Sequence, residues 1–158
     1  MLARKERGPG NVKDYRFVLI ATAEPSTRQE ILECLSVQGY QTVAVERGSD
    51  ALLAVAEDNI GVAIVDLSIQ EPSGIRTVEI LRKMRPRLPL IVLSSDDSVE
   101  TGRQILQHGP FYYLLKPLNL DELAQLVGIA LTPNKRSAAG TDISASRTKR
   151  GEEKGVTI

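Results

Sequence analysis

The chain has no tryptophan, two phenylalanines, four tyrosines and a single cysteine among its 158 residues. With so few aromatic rings, a core has to be assembled from Leu, Ile, Val and Ala, a composition that suits a parallel sheet covered by helices on both faces. One cysteine forms no intramolecular disulfide, which excludes a disulfide scaffold and makes a thiolate zinc cluster implausible. Cys34 stands near Ile31 and Leu35 at helical spacing. That reads as a small buried hydrophobe, with a reactive thiol as the alternative. No apolar run approaches the roughly 20 residues that a membrane span needs. Residues 1–11 carry Arg4, Lys5, Glu6 and Arg7 and lack the apolar stretch of a signal peptide, so a cytoplasmic location is expected.

An excess of charge is also missing, since 20 basic and 20 acidic residues leave a formal net charge of zero. The balance is uneven along the chain. Residues 132–158 hold six Lys or Arg against three acids, residues 1–15 hold four against two, and ten basic and fifteen acidic residues lie between. Beyond Thr132 the composition turns to Ser, Thr, Ala, Gly, Lys and Arg, with too little apolar surface to offset the entropy of ordering. A flexible segment 1–14, one domain over 15–132 and a disordered basic tail over 133–158 are expected. With 42% apolar and 25% charged residues, the domain has enough material for a sizeable core.

Five apolar runs recur, at 17–20, 42–45, 62–65, 90–93 and 112–115. Most are continuous rather than alternating, as expected of strands buried on both faces. Helical patterns separate them. Thr27 with Glu30 reads as a capping box, Asp97 with Glu100 as the cap of a fourth helix running through His108, and Asn119 with Glu122 as the cap of a fifth. Gly102 and a thin apolar face weaken the fourth. Five strands alternating with five helices define an α/β fold with a parallel sheet and helices on both faces.

In such a sheet, sites form beyond the carboxyl ends of the strands. Strand one runs into Thr22, Ala23, Glu24 and Pro25, strand three ends at Asp66, strand four at Ser94, Ser95 and Asp96, and strand five at Lys116 and Pro117. A carboxylate can accept a phosphoryl group as nucleophile, a lysine can offset the negative charge of that group, about −1.5 to −2 on a phosphate at neutral pH, and a hydroxyl can donate to a phosphoryl oxygen. The same three groups also fit a simpler arrangement, in which Asp66 caps its loop and Lys116 pairs with it.

Four segments together resemble the receiver domains of bacterial response regulators. Val18 through Pro25 looks like their opening strand. Ala63-Ile64-Val65-Asp66-Leu67, with Gly74 eight residues after the Asp, is similar to their phosphorylation loop. Pro89 through Ser95 resembles their fourth strand, and Tyr113-Leu114-Leu115-Lys116-Pro117 their fifth. The resemblance covers about residues 15–131. It implies a flavodoxin-like sheet of order 2-1-3-4-5, with Asp66 as phospho-acceptor. Ser94 would be the hydroxyl that swings toward the phosphoryl group, Tyr113 the aromatic that follows it, and Lys116 the phosphoryl-binding base with a cis bond to Pro117. For Tyr113, simple packing is the alternative to a switch role, and Tyr112 should face the other way. A histidine kinase or other signalling protein would be the upstream partner, and the face of helix four and strand five would meet a downstream protein.

The chain departs from this pattern where the family places two adjacent acids that hold Mg²⁺. Thr22 and Ala23 stand there, leaving Asp66 as the only candidate ligand, so Mg²⁺ binding should be weak. Glu24 is expected to point elsewhere. Gln70 replaces the usual proline of the phosphorylation loop, and Pro72 is displaced. Losing the acids also removes repulsion, on the order of 4 kcal/mol per carboxylate pair at about 4 Å in an effective dielectric near 20. Asp66 and Lys116 could then pair without phosphate. Two signalling readings follow, a phosphorylatable receiver and a phosphate-independent pseudo-receiver that binds proteins. An aspartate-nucleophile phosphatase is the less favoured third, because a second acid is wanted where Ser68 stands. No enzymatic activity is expected, nor direct DNA binding or membrane contact.

Overall fold

The computed structural model describes residues 16–132. The expected segments 1–14 and 133–158 lie outside the described residues. Ten elements alternate: β1 (Phe17–Ala21), α1 (Pro25–Val37), β2 (Gln41–Val45), α2 (Gly48–Glu57), β3 (Ile60–Asp66), α3 (Gly74–Met84), β4 (Leu90–Ser94), α4 (Val99–Leu106), β5 (Tyr112–Leu115) and α5 (Leu120–Leu131). The sheet order is β2-β1-β3-β4-β5, with every pairing parallel. Strands β1, β3 and β4 are buried at every residue, which is why their sequences read as unbroken apolar runs.

Alternation along each strand divides the core in two. Leu19, Ala63, Val65, Leu90 and Val92 face α2, α3 and α4, which contribute Ala51, Val55, Val78, Leu81 and Ile105. Val18, Ile20, Val62, Ile64, Ile91 and Leu93 face α1 and α5, which contribute Ile31, Leu35, Leu123 and Val127. Each fully buried aliphatic side chain is worth about 1.5–3 kcal/mol. Tyr113 packs against the first cluster and Leu114 belongs to the second, so Tyr112, one residue earlier, shares the side of Leu114.

Three helix ends differ from the sequence reading. Helix α1 starts at Pro25 with Glu24 as N-cap. Thr27 therefore lies inside the first turn and forms no capping box, because proline at the first helical position fixes the entry angle earlier. The cap of α4 is Ser98, whose side chain accepts from the Thr101 amide, and the helix closes at Leu106 rather than His108. Helix α2 begins at Gly48, where an added Cβ would lie 2.4 Å from Thr77 Oγ1 and 2.6 Å from the Pro72 carbonyl oxygen. Asn119 caps α5 as expected, accepting from the Glu122 amide.

At the end of the sheet away from the candidate site, Arg82 ties three segments together. Its Nε donates to His108 O at 2.9 Å, Nη1 to Pro86 O and Leu88 O at 2.8 and 2.9 Å, and Nη2 to Gly109 O at 3.0 Å. The planar fork of arginine suits this convergence on carbonyls.

Candidate functional site

The parallel register brings four strand ends to one edge. Ala21 pairs with Val65, Asp66 with Leu93, and Ser94 with Leu115. Asp66, Thr22 and Ser94 are almost fully buried there. Lys116 reaches in from just beyond β5 with 15% of its side chain exposed.

Asp66 is held on both oxygens. Its Oδ2 accepts from Thr22 Oγ1 at 2.7 Å and from Lys116 Nζ at 2.8 Å, and its Oδ1 accepts from the Ser68 amide at 3.0 Å. The Lys116 ammonium also donates to Glu24 Oε1 at 2.7 Å. Glu24 thus turns into the site, against the expectation that it points elsewhere. The reason is local: the chain leaves β1 and turns at the α1 N-cap, so strand alternation no longer sets its direction. The Glu24 amide donates to Thr22 Oγ1 at 3.1 Å, and Oε1 accepts from Thr27 Oγ1 at 2.9 Å.

Charge follows this geometry. Hydrogen bonds from Lys116 and then Thr27 hold the Glu24 carboxyl below the usual glutamate range. For Lys116, burial works against the charged form, and the bonds to Asp66 and Glu24 outweigh it, so the ammonium is held above the ordinary lysine value. The Lys116–Pro117 peptide is cis, and so is Glu71–Pro72 in the loop where proline is displaced.

Ser94 and Tyr113 are linked through a residue the sequence reading did not single out. Ser94 Oγ and the Tyr113 hydroxyl both donate to the carbonyl oxygen of Asp96, each at 3.2 Å, and the Asp96 amide donates back to Ser94 Oγ at 2.9 Å. The Asp96 carboxylate accepts from Thr101 Oγ1 at 2.7 Å and the Ser98 amide at 2.9 Å, and the Thr101 bond first, then Ser98, lowers its pKa. In the run Ser95-Asp96-Asp97-Ser98 the expected cap Asp97 gives way to Ser98, and Asp96 braces the turn. Between the two loops lies a cleft of about 260 Å³ bordered by Ser68, Ser73, Ser94, Ser95 and Thr101.

Gly74 closes the loop of Asp66. An added Cβ would stand 2.5 Å from Leu67 Cα and 2.8 Å from Leu67 O. Cys34 is half-buried, with Sγ 3.6 Å from Leu120 O, and burial, then Asp121, pushes its thiol pKa up, the opposite of activation. Among the described residues, no group of three or more His, Cys, Asp or Glu side chains is placed to hold a metal ion. No helix among them is long and apolar enough to cross a membrane.

This sheet order, with a carboxylate at the end of the central strand, is the architecture of a flavodoxin-like receiver fold. A family model described as the response regulator receiver domain matches residues 18–128, and the chain belongs to that family. It is similar to the regulatory protein AtoC of Escherichia coli, at 32% identity over 114 residues that make up 72% of this chain and 25% of that protein. Among solved structures it resembles the receiver domain of Francisella response regulator 1452, with 32% identity and a TM-score of 0.69 over 73% of this chain and 96% of that one. A response regulator receiver protein from Pseudomonas putida matches at 29% identity and a TM-score of 0.69, over 73% and 97%. The chain spans about a quarter of the length of the curated relatives it matches.

Proposed function

We propose that this receiver domain is a protein-contact module of two-component signalling whose pocket is closed by its own side chains, so that its resting state needs neither metal nor phosphate. The observation that carries the reading is Asp66 Oδ2, which already accepts from both Thr22 and Lys116. Mg²⁺ takes an octahedral shell of oxygens and is usually held by carboxylates and phosphates. Here Ala23 supplies no ligand, the Thr22 hydroxyl donates a hydrogen bond to Asp66, and the Lys116 ammonium engages the carboxylates of both Asp66 and Glu24. These residues do not fit Mg²⁺.

The open side of α4 and β5, where Val99, Leu106 and Leu115 are exposed, is the surface we assign to a downstream protein. Upstream we assign a histidine kinase or other signalling protein, in the cytoplasm. On this reading residues 16–132 make no contact with DNA and perform no catalysis of their own.

Phosphoryl transfer to Asp66 is the second reading, favoured by the buried Ser94 hydroxyl and by Lys116 at the carboxylate. In it Asp66 is the nucleophile and Lys116 offsets the charge gained. Ser94 would leave the Asp96 carbonyl that it shares with Tyr113, which links the two side chains as a two-state element. A phosphatase has no support at Ser68, whose amide holds Asp66 and whose hydroxyl accepts from the Ala23 amide at 3.3 Å.

Incubation with acetyl phosphate and Mg²⁺, followed by intact mass measurement, separates the two readings. No phosphoryl adduct is expected. An acid-stable, base-labile adduct that disappears in Asp66→Asn would establish the second reading instead.

A further inference from the structure

We propose that Glu24 is a positioning residue that withholds Lys116 from any anion presented at Asp66. The inference deepens the reading above and rests on it. Four groups form a closed ring: Thr22 Oγ1 donates to Asp66 Oδ2, the Glu24 amide donates to Thr22 Oγ1, and Lys116 Nζ joins Glu24 Oε1 back to Asp66 Oδ2. Two of the three donors an ammonium possesses are therefore directed at carboxylates before any ligand arrives.

Glu24 is 44% exposed at the mouth of the pocket, yet it is fixed from behind. Pro25 opens α1 directly after it, and Thr27, which is 8% exposed, donates to the same Oε1 that holds the lysine. Two carboxylates around one ammonium leave this cluster with one negative charge in excess. Phosphorylation would replace the single charge of the Asp66 carboxylate with the roughly −1.5 to −2 of a phosphoryl group, deepening the excess negative charge, and would have to draw Lys116 away from Glu24. Glu24 therefore competes with the incoming group for the only ammonium in the cluster.

Wild type and Glu24→Gln are titrated with beryllofluoride, a phosphoryl analogue, at one Mg²⁺ concentration and followed by amide NMR at Ser94, Asp96 and Tyr113. Glutamine keeps the size of the side chain and removes its charge, and equal thermal midpoints establish that the variant is folded. Glu24→Gln is expected to gain about fivefold in apparent affinity for beryllofluoride, the upper end of what a partly exposed ion pair supports, and so to respond over a range in which wild type gives no full response. The Lys116 ammonium ¹⁵N resonance, recorded without ligand, should shift in the variant, whereas a residue that only supports the helix would leave it unchanged. Equal or weaker response of Glu24→Gln overturns the proposal, and so does silence from both proteins, since removal of the competitor must release the lysine. A full response from wild type overturns the reading of a phosphate-independent pocket, whatever the variant does, so the two failures are distinguishable.

Discussion

Thr22→Val removes one hydroxyl and little else, because valine has nearly the shape of threonine. Thr22 and Asp66 are 0% and 1% exposed, so water has no easy route to replace the lost donor. The bond lost is charge-assisted, 2.7 Å long, and worth about 1.5–3 kcal/mol. The Glu24 amide loses its acceptor in the same change. Together these set the expected destabilisation at about 2–3 kcal/mol. With a urea slope near 1.5 kcal/mol/M, the unfolding midpoint should fall by roughly 1.5 M, and the melting temperature by about 8–12 °C for a domain of this size. Thr22→Ser is the control, since it keeps the donor and loses one methyl, costing about 1 kcal/mol. Valine should therefore be the worse of the two although it fills the space better. A valine variant as stable as wild type, with an unchanged slope, would show that the hydroxyl does not hold Asp66 and would refute the reasoning.

Gly74→Ala forces a Cβ against the Leu67 backbone, so overpacking should cost about 1–3 kcal/mol, with urea melts reading the loss and the largest amide shifts falling on residues 66–69. Arg82→Lys keeps the charge but not the fork that meets His108, Pro86, Leu88 and Gly109. It should lose about 2–3 kcal/mol, while a loss within 0.5 kcal/mol would make the fork dispensable. Because the Lys116 pKa is raised in the folded protein, its stabilising effect is complete below the ordinary lysine value and fades as pH rises through the folded one. Lys116→Met should cost about 3 kcal/mol at neutral pH, and that difference should shrink under alkaline conditions. A gap that stays constant or widens would place the stabilisation elsewhere.

The fold was legible because β1, β3 and β4 are buried on both faces, so each left an unbroken apolar run between turn signals. The order β2-β1-β3-β4-β5 came from the resemblance, not from the runs themselves. Strand ends placed Asp66, Ser94 and Lys116 on one edge without knowledge of any side-chain direction, since parallel strands share their carboxyl ends. Glu24 was misread because it follows the last residue of β1, where the two-residue period ends and the α1 cap sets the turn. Asp96 is named in the sequence only as a strand-end residue, without a role, because its carbonyl, not its side chain, joins Ser94 to Tyr113, and a backbone acceptor leaves no mark in residue type. The α1 start differs because Pro25 at the first helical position puts the N-cap at Glu24, ahead of Thr27, and the α4 cap differs because Ser98, beside Asp97, has equal capping chemistry.

The central claim is that Thr22 and Ala23 stand where a metal-binding pocket would keep two carboxylates, so that Asp66 is held by Thr22 and Lys116 without an ion. Titration of wild type and of Thr22→Asp/Ala23→Asp with Mg²⁺ alone, read by amide NMR around Asp66 and Ser68, tests it most directly. Wild type should show no saturable shift at millimolar Mg²⁺. The double variant should be destabilised without metal, by on the order of 4 kcal/mol for a carboxylate pair at about 4 Å, then bind it and recover. Saturable Mg²⁺ binding by wild type, centred on Asp66, would contradict the account.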